Sequence, residues 1–157
     1  MPMSLHSPAF LNQHAIPARH TCDGMNTSPP LSWNGVPPGT RSLALIVDDP
    51  DAPDPAAPQM TFVHWVLYNI PPDTGGLEEG ASPRDLPLAA EQGLNDWDDH
   101  TWGGPCPPSG RHRYFFKLYA LNTTLPHLKH PTKGALEQAM RGHVLEQAEL
   151  IGLYQRH

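Results

Sequence analysis

Three stretches of the chain carry the pattern of β-strands. Ser42–Asp49 (SLALIVDD), Thr61–Ile70 (TFVHWVLYNI) and His112–Leu121 (HRYFFKLYAL) are rich in β-branched and aromatic residues and sit between turn-forming segments. A weaker strand begins near Leu31 and ends at the Pro37-Pro38-Gly39 turn. A helix is expected only late. Thr132 after Pro131 offers an N-cap, and Leu136, Ala139, Met140, His143 and Val144 follow an i, i+3, i+4, i+7, i+8 pattern. Gly142 is expected to split this region into two short helices, and Leu150–Gln155 reads as a final strand. Residues 83–109 read as a long irregular stretch, and ordered loops of that length are often functional. Strands first and helix last predict a mostly β (α+β) domain rather than alternating βαβ units.

Composition sharpens this picture at one point. The chain has 157 residues, 20 of them proline, and proline fills neither helix interiors nor central strands. Rigid, ordered connections are therefore expected around the strands. No linker, repeat or charge run divides the sequence, so residues 1–157 are taken as one domain. A net charge of −6 without any basic block disfavours nucleic acid and polybasic membrane anchoring. Leu43–Val47, the longest apolar run, is far short of the ~20 residues of a transmembrane helix. No basic n-region or apolar h-region opens the chain, which predicts a cytoplasmic protein. In that compartment Cys22 and Cys106 are expected as separate thiols, although a bridge between them remains geometrically open.

Alternation along the strands locates candidate chemistry. Leu43, Leu45, Val47 and Asp49 share one face; Phe62, His64, Val66, Tyr68 and Ile70 share another; His112, Tyr114, Phe116 and Leu118 share a third. Each strand thus delivers polar groups from an apolar row. Spread apart they would be costly buried groups, whereas converged at one sheet end they would line a small polar pocket. Pro/Gly-rich segments flank two of them, at Asp48–Pro53 and Gly103–Pro108, and such loops present backbone N–H groups in fixed directions. No H-E-x-x-H or C-x-x-C motif is present, so neither a metal nor another cofactor is expected.

The segments TCDGMNTSPPLSWNGVPPGT, LALIVDDPDAP, FVHWVLYNIP, GGPCPPSGRHRYFFKLYAL and ALEQAMRGHVLEQAELIGLY resemble the phosphatidylethanolamine-binding protein family, its bacterial branch especially. The resemblance implies a large central β-sheet, a second smaller sheet, a short C-terminal helical segment and an anion pocket without an established reaction. It implies ligand-binding roles for Asp49, Asp51, His64, Gly104, Cys106, Pro107, Pro108, His112 and Tyr114. Alternation puts Arg113 on the opposite face, where it is expected to be structural and paired with an acid. The expected ligand is small and phosphate-bearing or zwitterionic, phosphoethanolamine being the simplest. A protein partner such as a kinase or protease is a further expectation.

Affinity is expected to rise from about pH 8 to 6 if His64 and His112 protonate against a bound anion. A second reading is a hydrolase using His112 as base, with Cys106 or metal-bound water as nucleophile. Phe62, Trp33, Trp65, Trp97 and Trp102 supply aromatic area near Pro-rich loops, from which a homodimer is expected.

Overall fold

The computed structural model describes residues 2–81, 86, 87 and 89–156. In chain order these form β1 (Ser4–His6), β2 (His14–Ala15), a 3-10 turn (Ala18–His20), β3 (Leu31–Asn34), β4 (Ser42–Ala52), β5 (Met60–Ile70), β6 (Gly76–Leu77), β7 (Glu91–Gln92), β8 (His112–Leu121), α1 (Lys133–Met140) and β9 (Val144–Tyr154). The large sheet has the order β2-β9-β8-β4-β5-β7, and the small one β1-β3-β6. Among the described residues, only β2 and β9 pair in parallel, and every other pair is antiparallel. The fold is mostly β with two sheets and one short helix, as the strand pattern and the resemblance predict.

Each face of the large sheet is covered. Leu43, Leu45 and Val47 of β4, with Phe116 and Leu118 of β8, pack against Leu5, Leu31 and Trp33 of the small sheet. On the other face, Ala44, Ile46, Val66 and Tyr68 pack against Leu136 and Met140 of α1. Burial on both faces explains why β4 is a continuous apolar run up to its acidic end. Trp33 and Trp65 are core residues, 6% and 1% exposed, so they supply no free area for the expected dimer contact.

Two local expectations are corrected. Strict alternation fails along β5, because the strand contains bulges. Val47 opposes Trp65 while Asp48 opposes Val63, which leaves His64 as the extra residue. A second shift follows, with Leu45 opposite Leu67 but Leu43 opposite Ile70. Val66 and Tyr68 therefore enter the helix-side core, while Phe62 and His64 keep to the opposite side.

The second correction lies after α1. Thr132 caps the helix by accepting from the Ala135 N–H at 3.2 Å, and Gly142 at φ +84° ends the region. No second helix follows; Val144 begins an 11-residue strand. Pairing along the length of β8 overrides the short helical pattern, and Ala148, Leu150 and Tyr154 are buried at a period of two.

Candidate functional site

At one end of the large sheet, β4, β5 and β8 bring Asp49, His64, His112 and Tyr114 to the floor of a cavity of about 740 Å³. His112 and Tyr114 lie two residues apart on β8 and point the same way, as alternation predicts. His112 is fully committed within the protein. Its Nε2 donates to the Ser109 carbonyl at 2.8 Å, and its Nδ1 lies 2.5 Å from Asp49 Oδ2. The second Asp49 oxygen accepts from the Asp51 N–H at 2.7 Å. Burial pushes the Asp49 carboxyl upward from its ordinary pKa, against the hydrogen bond from His112 that holds it down. The two residues are 3% and 1% exposed and form one buried, hydrogen-bonded pair. The expectation that the His112 ring donates directly to a ligand is therefore corrected: neither nitrogen is available.

His64 is held neutral. Burial lowers its pKa from 6.5 to about 4, outweighing the hydrogen bond its Nδ1 makes to the Gly103 carbonyl at 2.7 Å. With the proton on Nδ1, Nε2 carries the lone pair and acts as an acceptor. The expected rise in affinity from pH 8 to 6 is corrected for His64, which stays neutral through that range. Tyr114 supplies the opposite character. Its ring is 1% exposed and its hydroxyl has no hydrogen-bond partner among the described residues. Burial and the charges of Asp49 and Asp51 raise its pKa, so it stays a protonated donor.

The depressed value of His64 makes a stability prediction. Unfolded, the ring takes up a proton near pH 6.5; folded, it resists until about pH 4. Its contribution is complete above the unfolded value and is lost as pH falls through that window, reaching about 3 kcal/mol. Melting curves should show His64→Gln losing less stability than the parent protein between pH 6.5 and 4. Parallel pH profiles would contradict this assignment.

Two segments make the wall. The 3-10 turn and its continuation bring Cys22 and Asn26 against residues 103–108. Cys22 and Cys106 are joined in a disulfide with Cα atoms 5.4 Å apart, which corrects the expectation of separate thiols. The Cys22 N–H donates to the Pro105 carbonyl at 3.1 Å, and the Gly104 N–H to Asn26 Oδ1 at 2.9 Å. A Cβ on Gly104 would lie 2.3 Å from the His20 carbonyl oxygen, so only glycine permits this approach.

The disulfide also removes the thiol from the hydrolase reading, and His112 has no nitrogen left to act as base. Among the described residues, no group of three His, Cys, Asp or Glu is placed to hold a metal ion.

Of the residues picked out from sequence, Asp49, His64, Gly104, Cys106, Pro107, Pro108, His112 and Tyr114 all line the cavity. Asp51 does not line it. Its carboxylate accepts from the backbone N–H, Nε and Nη2 of Arg113, each at 2.9 Å. Arg113 points away from the cavity, as alternation predicts. Sequence reasoning missed Asn26, Asn95, Trp97 and Asp99, which line the same space. Asn26 lay within the TCDGMN segment that carried the resemblance, whereas the 95–99 loop carried no motif.

Comparison with known proteins agrees with this architecture. The family model described as phosphatidylethanolamine-binding protein matches residues 6–155. A UPF0098 protein of Methanothermobacter thermautotrophicus is 53% identical over 155 residues, covering 98% of this chain and 99% of its own. The crystal structure of a putative phosphatidylethanolamine-binding protein homologue from Chlamydia trachomatis has a TM-score of 0.91 at 40% identity, covering 99% of both chains. The crystal structure of E. coli YbcL, described as a new member of the mammalian PEBP family, gives 0.89 at 33% identity over 100% of both chains. Archaeal and bacterial proteins both appear among these relatives, so the expected restriction to a bacterial branch is too narrow. By sequence and by fold alike, the chain belongs to the phosphatidylethanolamine-binding protein family.

Proposed function

We propose that the protein is a non-catalytic binding protein whose cavity holds a small zwitterionic, phosphate-bearing ligand, with phosphoethanolamine as the minimal case. The observation that carries this reading is the Tyr114 hydroxyl, buried on the cavity floor without a partner among the described residues. A buried donor left unpaired is costly, and a ligand oxygen satisfies it. Charge favours a zwitterion over a bare anion. Among the described residues, neither Lys nor Arg lines the cavity, while Asp49 and Asp99 do. The His64 Nε2 acceptor suits a ligand group that carries a proton, such as a phosphate monoanion or an ammonium.

Calorimetric titration with phosphoethanolamine tests this on two variants. Tyr114→Phe removes one hydroxyl and should weaken binding by about 1.5–3 kcal/mol, roughly ten- to a hundredfold. Its melting temperature without ligand should hold or rise slightly, since an unpaired buried group is removed. Arg113→Ala should do the reverse, because it strips the Asp51 carboxylate of its guanidinium partner. Wild-type affinity in Tyr114→Phe, with loss of ligand in Arg113→Ala, would contradict the proposed pocket.

A further inference from the structure

The mouth of the cavity is built differently from its floor. Trp97 is 44% exposed, and its ring lines the cavity instead of entering the core. It meets Phe62 at a centroid distance of 4.7 Å and 66°, and His64 at 5.2 Å and 75°. The rings therefore form a fixed corner. Asp99 lines the same space, and its carboxylate makes no hydrogen bond or ion pair among the described residues.

The loop that carries both residues is held rigidly. Asn95, 4% exposed, accepts from the Trp97 and Asp99 N–H groups at 2.9 and 3.0 Å and donates to the Thr101 carbonyl at 3.0 Å. Its own N–H donates to the Asp99 carbonyl at 2.8 Å, and Asp96 accepts from the Val63 N–H at 2.7 Å, tying the loop to β5.

We propose that Phe62, Trp97 and Asp99 form a cation subsite that selects a methylated ammonium group. Aromatic faces attract cations, and a carboxylate beside them adds long-range attraction. A primary ammonium brings three N–H donors and needs as many acceptors, whereas this corner offers one carboxylate and ring surfaces. A methylated ammonium has few or no N–H groups to satisfy and fits such a corner at lower desolvation cost. The subsite rests on the reading of the floor as the phosphate end: with Tyr114 below, the cavity spans a phosphate and a quaternary ammonium on one molecule. The shared chemistry is that of phosphocholine, either as the free compound or as a lipid headgroup.

Titrations with phosphocholine, phosphoethanolamine, choline and inorganic phosphate test the subsite. Phosphocholine should bind more tightly than phosphoethanolamine. Trp97→Leu should weaken phosphocholine about five- to thirtyfold, and inorganic phosphate not at all. Trp97→Phe, which keeps a ring, should retain most of the affinity and so separates the contact from a disturbed loop. Asp99→Asn should cost about two- to fivefold, most visibly at low salt.

Phosphocholine binding that depends on Tyr114 but is unchanged in Trp97→Leu and Asp99→Asn would overturn the subsite and leave the proposed function standing. Trp97-dependent binding of choline without any phosphate binding would do the opposite. Sedimentation with phosphatidylcholine vesicles distinguishes the sources. Trp97-dependent pelleting assigns the lipid headgroup, and soluble binding without pelleting assigns the free compound.

Discussion

Replacing Cys22 and Cys106 together with serine should lower stability by about 2–5 kcal/mol, the range for removing a native disulfide. The bridge joins residues 84 apart in sequence, so its loss returns a long loop to the unfolded chain. For a domain of this size the change corresponds to a melting temperature lower by about 5–15 °C. It should also weaken ligand binding, because both cysteines line the cavity and hold residues 103–108 against the 3-10 turn. What remains at that wall is the Gly104–Asn26 and Cys22–Pro105 hydrogen bonds, each worth about 1 kcal/mol. Thermal melts of the wild type with and without reductant, beside the double serine variant, measure this. An unchanged melting temperature under full reduction would contradict a structural role for the bridge.

Replacing Asp49 with alanine should cost about 3–5 kcal/mol, the scale for removing one partner of a buried pair. Two groups lose their acceptor at once: His112 Nδ1 at 2.5 Å and the Asp51 N–H at 2.7 Å. Neither reaches bulk water, since His112 is 1% exposed and Asp51 is 6% exposed. His112 then keeps only its bond to the Ser109 carbonyl. Asp49→Asn keeps the shape and one acceptor oxygen, and should cost less than half as much. Denaturant unfolding measures both variants. Equal stability of Asp49→Ala and wild type would show that the pair is not coupled as described.

The parts of this protein that were legible in its sequence are those where one face of a strand is buried along a regular ladder. β8 is the clear case: His112, Tyr114, Phe116 and Leu118 are buried, and Arg113 lies on the other side. β5 was misread because a bulge leaves no mark on local hydrophobicity. The Val63-His64-Trp65 run is uniformly apolar or aromatic, and only pairing with β4 shows that His64 is the extra residue. That bulge is also what leaves His64 and Phe62 on the cavity side while Val66 and Tyr68 turn to the helix side. The stretch after Gly142 was misread for a related reason, since β8 selects a strand from residues whose short-range spacing also fits a helix.

Candidate site residues were legible as identities but not as roles. Asp51 and His112 carried the right chemistry for a ligand, yet Arg113 and Asp49 occupy it. Such partnerships form between residues about sixty positions apart, beyond the reach of any local pattern. Trp97 and Asp99 were missed because a single buried asparagine, Asn95, positions them, and nothing in NDWDD distinguishes that loop from a solvated turn.

The most direct test of the central claim follows the phosphorus nucleus of phosphocholine by NMR as the protein is added at pH 7. The account predicts that the signal shifts and broadens to saturation at one ligand per chain, and that Tyr114→Phe displaces the curve about ten- to a hundredfold toward weaker binding. A phosphorus signal that stays unchanged at millimolar protein and ligand, in a sample whose melting curve shows it folded, would contradict it.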